Sequence, residues 1–123
     1  MLLNIQHIAI HVKNLEASTF FYNKILNLPI IERPKFDFDG MWFSVGTSQE
    51  IHLIAGLSKP VNSDSRGNHF AFQTPSIIEF ENHLLAFPYP YKPAKQRPDG
   101  AWQIFIKDPD EYVIEIYQEI NKY

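Results

Sequence analysis

The chain has 123 residues, 45% of them hydrophobic and 20% charged, with a formal net charge of −3 and no cysteine. This balance predicts one globular domain over residues 1–123 and excludes a disordered chain, and the lack of cysteine excludes disulfides, thiolate metal sites and a cysteine nucleophile. Lysine and arginine form no basic stripe and no apolar run approaches the ~18 residues of a membrane span, so we expect a cytoplasmic protein with neither nucleic acid nor membrane as partner.

The first predicted element is a strand from Asn4 to Val12, because apolar residues alternate there with a period of two. One face consists of isoleucine and valine and is expected to be buried. The opposite face carries His7, Ala9 and His11, where a solvated strand would carry lysine, threonine or glutamate. The two imidazoles make this strand a candidate part of a functional site, although a single histidine on a strand is more often structural.

A helix and three strands are predicted for the rest of the first half. Asn14 is expected to cap the helix, whose apolar stripe recurs every four residues at Ala17, Phe21 and Ile25. The helix should end at the segment 27–29, which contains a proline. The three predicted strands are Pro29–Arg33 at a sheet edge, Met41–Val45 and Glu50–Ala55.

A segment rich in serine, proline, glycine and asparagine separates this half from a second one with the same order of elements. We place this linker at 57–66, between the modules 1–56 and 67–123. Ser76 and Glu79 form a capping box that predicts the second helix. The strands predicted in the second module are Asn68–Thr74, Tyr91–Lys95, Ala101–Lys107 and Tyr112–Gln118.

The two halves align with each other as an internal repeat. His7 aligns with His69 at an offset of 62 residues, and His52 aligns with Glu115 at an offset of 63. The first and the last strand of each module thus carry one metal-capable side chain at equivalent places. Three imidazoles and one carboxylate suit Zn²⁺, Ni²⁺, Co²⁺, Fe²⁺ or Mn²⁺. Pairing of the modules would bring these four residues together, and we predict that they bind one divalent metal.

Four segments carry a resemblance to a known superfamily: H-I-A-I-H-V, I-H-L, N-H-F-A-F and F-I-K-D-P-D-E-Y-V-I-E-I-Y. Over essentially its whole length the chain resembles the vicinal oxygen chelate superfamily of glyoxalases, bleomycin resistance proteins and extradiol dioxygenases. The resemblance implies an α+β fold of two repeated β-α-β-β-β modules that form a curved eight-stranded half-barrel around a metal cavity. It also implies that His7, His52, His69 and Glu115 occupy the family's metal-ligand positions.

The activity implied by the resemblance is that of a single-unit glyoxalase I-like metalloenzyme, a lyase or isomerase whose small substrate chelates the metal through two oxygens. Two departures from glyoxalase I leave glutathione use open: His52 replaces a glutamate ligand, and His11 replaces an arginine that meets the glutathione end. The alternatives are a single-unit extradiol-type dioxygenase and a non-catalytic, drug-sequestering protein of the bleomycin resistance type. A fosfomycin-type thiol transferase ranks lower, because Ala9 stands where that family has a hydroxyl residue.

Further residues are candidates for the reaction and for substrate contact. Glu115 is expected to act as the catalytic base, since no Ser/His/Asp set or cysteine offers a covalent nucleophile. His11, Trp42, Trp102 and Tyr117 are candidates for substrate binding, with packing as the alternative for the two tryptophans. A homodimer is also expected, because small modules leave sheet edges and apolar faces uncovered.

Overall fold

Residues 1–120 are described by a computed structural model. The chain divides into two units, Met1–Lys59 and Pro60–Tyr123, and each unit contains one four-stranded sheet and a helical segment. Within residues 1–120, no helix has the length and apolar character needed to span a membrane.

The first unit follows the order strand, helix, strand, strand, strand. Its elements are β1 (His7–Val12), α1 (Leu15–Phe20), a π-helical segment (Phe21–Ile25), β2 (Ile30–Ile31), β3 (Gly40–Val45) and β4 (Gln49–Ala55). The strands are arranged β1-β4-β3-β2, with β1 parallel to β4 and the other neighbours antiparallel.

The second unit repeats this order and this sheet. Its elements are β5 (Phe70–Gln73), α2 (Ile77–Leu84), β6 (Tyr91–Gln96), β7 (Trp102–Lys107) and β8 (Val113–Gln118). The strands are arranged β5-β8-β7-β6, again with one parallel pair, β5 and β8, and antiparallel neighbours otherwise. The predicted α+β fold of two β-α-β-β-β modules is confirmed.

Alternation decides which face of β1 is buried. Ile10 and Val12 are buried, while His7 and His11 on the opposite face are exposed, as the sequence predicts. The core of this unit also contains large apolar side chains from the helical segment and the sheet, namely Phe21, Tyr22, Ile25, Phe43 and Leu53. Each such burial stabilises the fold by about 1.5–3 kcal/mol, so the apolar face belongs to the core and the histidine face is left for other roles.

The first helix begins as predicted but does not continue as predicted. The Asn14 side chain caps it by accepting from the backbone N–H of Ala17 at 3.0 Å. The predicted stripe is wrong at Ala17, which is exposed, whereas Ser18 is buried. From Phe21 the backbone widens to π-geometry, and the N–H of Leu26 bonds to the carbonyl of Phe21 at 2.9 Å. A wider turn shifts the core positions, so a constant period of four cannot follow the buried face.

Several strands are shorter than the sequence pattern predicts. β1 begins only at His7, and β2 contains two residues at the sheet edge. β5 begins after His69, so this histidine precedes the strand instead of lying within it. The physical reason is that the carbonyl of Asn68 accepts a hydrogen bond from the Ser63 hydroxyl at 2.7 Å and is held by the preceding loop.

The second helix has half of the predicted capping box. The Ser76 hydroxyl accepts from the backbone N–H of Glu79 at 3.2 Å, as expected for an N-cap. The Ser76 N–H bonds to the Thr74 hydroxyl at 3.3 Å, and this contact takes the place of the reciprocal bond from the glutamate side chain.

Candidate metal centre

The first unit brings His7 and His52 together on one face of its sheet. Ala9 lies opposite His52 in the parallel register of β1 and β4, and alternation therefore puts His7 on the same face as His52. The two imidazole rings stack with centroids 4.2 Å apart and an interplanar angle of 15°. Trp42, opposite His52 on β3, also stacks on the His52 ring, with centroids 3.8 Å apart.

Each of these two histidines is oriented by a hydrogen bond at one ring nitrogen. His7 Nδ1 donates to Gln6 Oε1 at 2.7 Å, and His52 Nε2 donates to Glu50 Oε1 at 2.8 Å. Because the two oxygens are acceptors, the bonded nitrogens carry the protons, and His7 Nε2 and His52 Nδ1 keep lone pairs in the neutral rings. A hydrogen bond of this kind is what orients an imidazole that binds a metal.

Glu50 is a functional candidate that the sequence prediction missed. It lies opposite His7 in the β1–β4 register and two residues before His52, so all three side chains share one face. The hydrogen bond from His52 lowers the pKa of the Glu50 carboxyl from its ordinary value of 4.5. The signal that could have found it is the alternation within Q-E-I-H, where the glutamate and the histidine are two residues apart.

A cavity of about 560 Å³ lies on this face of the first unit. Its lining joins polar side chains to an aromatic wall and includes Gln6, His7, Glu50, His52, Phe36 and Trp42. Trp42 agrees with both interpretations drawn from the sequence, because it lines the cavity and also packs on His52. A substrate contact by Trp42 stays a prediction.

The second unit brings His69 and Glu115 together. His69 Nε2 lies 3.2 Å from Glu115 Oε1, and His69 Nδ1 lies 3.1 Å from the carbonyl oxygen of Gly67. The carbonyl oxygen and the carboxylate oxygen both only accept, so a neutral ring can donate to one of them and an imidazolium donates to both. A divalent ion bound to Nε2 and Oε1 is the alternative to a proton between these two atoms, and imidazole nitrogen and carboxylate oxygen are donor types that suit such an ion.

Glu115 is buried, with 6% of its surface exposed, and a second side chain fixes its other oxygen. Gln103 Nε2 donates to Glu115 Oε2 at 3.2 Å. The sequence prediction missed Gln103. In the antiparallel register of β7 and β8, Phe105 lies opposite Glu115, and Gln103 shares a face with Phe105. The one glutamine among the apolar residues of W-Q-I-F-I-K was the available signal.

The remaining predicted substrate residues lie in different places. Tyr117 shares the face of Glu115, and the guanidinium of Arg97 lies 5.0 Å from the centre of its ring. Trp102 lies opposite Gln118 in the register and therefore alternates onto the other face of the sheet from Glu115; a substrate contact by Trp102 stays a prediction. His11 Nε2 donates to the carbonyl of Ala55 at 3.1 Å. His11 lies near the end of β1 that is farther from His7.

The structure therefore presents the four predicted ligands as two pairs, one within each module. No group of three or more His, Cys, Asp or Glu side chains arranged to hold a metal ion is found among residues 1–120. Each module supplies two of the four predicted ligands. Binding of one ion by His7, His52, His69 and Glu115 stays a prediction.

A sequence model of the Glyoxalase/Bleomycin resistance protein/Dioxygenase superfamily matches residues 4–116. The chain belongs to this superfamily. The matched range extends over both modules and contains all four predicted ligands of the glyoxalase-superfamily site.

Individual relatives agree with this assignment. The chain is 30% identical to a protein from Arabidopsis thaliana named Glyoxylase I 4, over 94% of this chain and 70% of the relative. Among solved structures it is similar to lactoylglutathione lyase from Agrobacterium tumefaciens, with 19% identity and a TM-score of 0.72 over 94% of this chain and 92% of that one. It is also similar to the fosfomycin resistance protein FosX from Listeria monocytogenes, with 24% identity and a TM-score of 0.80 over 99% and 98% of the two chains. At these identities the structural likeness shows a shared fold.

Proposed function

We propose that this member of the superfamily is a divalent-metal-dependent, glyoxalase-type lyase or isomerase that acts on a small substrate with two metal-chelating oxygens. The observation that carries the proposal is the contact between His69 and Glu115, in which an imidazole nitrogen lies 3.2 Å from an oxygen of a buried carboxylate. Together with the oriented pair His7 and His52, these side chains would hold the ion.

The donor set supports a metal of the Zn, Ni, Co, Fe or Mn group. His7 and His52 each have one nitrogen committed to a protein oxygen, which leaves the other for coordination. In His69, Nδ1 is committed to the carbonyl of Gly67 and Nε2 faces Glu115 Oε1, an oxygen of the fourth proposed ligand. A FosX structure from Listeria monocytogenes contains Mn(II). We propose that this chain also binds a divalent ion, and the proposal does not specify which metal. When bound, such an ion supplies Lewis acidity that stabilises negative charge developing on the oxygens of a substrate.

Glu115 is the proposed base. Its carboxylate takes a proton from the carbon next to a substrate carbonyl, and the electron pair of the broken C–H bond forms the C=C bond of an enediolate-like intermediate. Return of the proton to the former carbonyl carbon, together with transfer of the hydroxyl proton to the other substrate oxygen, completes an isomerisation without an oxidant or a reductant. Gln103 positions the carboxylate through its hydrogen bond to Oε2.

Solvent isotope exchange tests this proposal even while the physiological substrate is unidentified. A panel of α-hydroxy ketones, α-oxo acids and catechols is incubated with the intact protein in D₂O and followed by proton NMR. We expect one class of carbonyl compound to lose the proton signal of the C–H group next to its carbonyl. This loss should not occur with the Glu115→Gln variant or in the presence of a chelator. Metal-dependent oxygen uptake with a catechol and no exchange would overturn the proposal in favour of a dioxygenase.

A second candidate is a drug-sequestering protein without catalysis, and one observation favours it. The cavity of the first unit has an aromatic wall in which Phe36 and Phe38 stack with centroids 5.0 Å apart and stay partly exposed. Such a wall suits a flat ligand. Tight binding of a planar dye by metal-stripped protein, with no exchange of any panel compound, would support this candidate instead.

A further inference from the structure

A cavity of about 450 Å³ on the Glu115 face of the second sheet is lined by three cationic side chains, Arg66, Lys92 and Lys95. Gln103 and Glu115 also line it. Among the residues within 1–120 that line the cavity, Glu115 is the one acidic residue. The chain as a whole carries a net charge of −3. The local excess of positive charge is therefore a property of this cavity, which we call the basic pocket.

A β-bulge brings both lysines to the same face. Lys92 lies opposite Phe105, and Lys95 lies opposite Gln103, so three steps along β6 correspond to two steps along β7. Side chains alternate along a regular strand, and residues three apart would therefore face opposite sides of the sheet. The extra residue in the bulge corrects this parity. Phe105 is in turn opposite Glu115, which places both ammonium groups on the face of the proposed base.

The ion pairing of the three cations of the basic pocket bears on what the pocket can bind. Within residues 1–120, no ion pair is formed by the side chains of Arg66, Lys92 or Lys95. Lysines on an edge strand such as β6 also discourage pairing with another sheet. Protection of the edge requires only that the lysines lie on the edge strand. It does not require both of them on the face of Glu115, where the bulge places them.

We infer that the basic pocket binds an oxyanion of the substrate, either a carboxylate or a phosphate-type group. Arginine offers forked donors and lysine a compact positive charge, and both suit the oxygens of such a group. The inference rests on the proposed function, because it makes the substrate of Glu115 a small acid. Its anion would be held by Arg66, Lys92 and Lys95 beside the base.

Anion titration of the intact protein as purified, with its metal content measured on the same sample, tests the inference. Inorganic phosphate and acetate are added separately and followed by shifts of the backbone amide signals of β6 and β7 in NMR spectra. The double variant Lys92→Gln/Lys95→Gln is compared with Lys35→Gln/Lys59→Gln, which makes the same charge change at exposed lysines outside both cavities described above.

We expect saturable shifts in the wild type and the control, and affinity weaker by about tenfold or more in Lys92→Gln/Lys95→Gln, because two charge-assisted bonds are lost. The tighter-binding anion identifies the group. Equal affinity in both double variants would overturn the inference, and so would the lack of a saturable shift with either anion. If none of the proteins binds an anion and Lys92→Gln/Lys95→Gln self-associates, the inference is also overturned. A protein that lacks metal but still binds the anion through these lysines would contradict only the proposed metal chemistry.

Discussion

At the scale of single residues, the proposed chemistry depends on Glu115, a buried carboxylate held between His69 and Gln103. Glu115→Gln keeps the size of the side chain and removes its basicity. General acid–base catalysis contributes about 10²–10⁴-fold, so we expect kcat to fall by about that factor. Metal affinity should fall less, because the three imidazoles remain. Turnover and metal content are measured on the same preparation, and a variant with its metal and near-normal turnover would rule out the proton-transfer role.

Glu50 gives a second prediction at this scale. Its carboxylate accepts from His52 Nε2 at 2.8 Å and so fixes the ring that we expect to bind the metal. Loss of such an orienting partner costs about 10–100-fold in metal affinity, and we expect Glu50→Gln to weaken binding by that factor in a competition titration. Glu32→Gln, at an exposed site, is the matched control. If the two variants bind metal equally well, Glu50 does not orient His52.

The residues show what could and could not be predicted here. The internal repeat was enough to predict His7, His52, His69 and Glu115 as ligands, because equivalent positions on repeated strands can be read from the sequence alone. Glu50 and Gln103 could not be assigned in the same way, since neither has a metal-capable counterpart in the other module. Their roles depend on the register between strands, which sets Glu50 opposite His7 and Gln103 on the face of Glu115. The face on which Trp102 lies depends on the register in the same way.

At the scale of elements, Tyr89 ties the loop after α2 to the end of β7. Its hydroxyl donates to the carbonyl of Lys107 at 2.6 Å, and burial, followed by the nearby charge of Asp108, raises its pKa to about 12. The neutral form is thus favoured in the folded state. This contribution is fully present below the ordinary pKa of 10.0 and is lost as the pH rises towards about 12.

We therefore expect Tyr89→Phe to flatten the dependence of the free energy of unfolding on pH between about 10 and 12, since phenylalanine cannot titrate. Urea unfolding of the wild type and the variant at a series of alkaline pH values measures this. An identical pH dependence of the two proteins over that range would show that Tyr89 is not the group responsible.

The elements themselves were mostly predictable, because their signals are local. Asn14 and Ser76 cap the two helices as expected from residue type and spacing. The π-helical segment and the bulge in β6 were not predicted, since both arise from packing and strand pairing. The bulge matters most for function, because a regular strand would have divided Lys92 and Lys95 between two faces.

At the scale of the whole molecule, we expect a homodimer. Within residues 1–120, each sheet has an edge strand on either side, and the exposed large apolar side chains include Leu2, Leu3, Ile78 and Leu85. A symmetric contact between two copies is the commonest way to cover such surfaces. Light scattering should give twice the mass of one chain, and a monomer whose mass does not change with concentration would contradict this.

Metal analysis of protein purified without a nickel column tests the central claim most directly. We expect one Zn, Ni, Co, Fe or Mn ion per chain in the wild type, and little metal in His69→Ala, because the remaining ligands lose the imidazole that faces Glu115. The fold should be retained, as judged by circular dichroism, and His83→Ala on α2 should keep the wild-type content as the control. Full metal occupancy in folded His69→Ala would contradict the claim and would mean that the metal binds elsewhere.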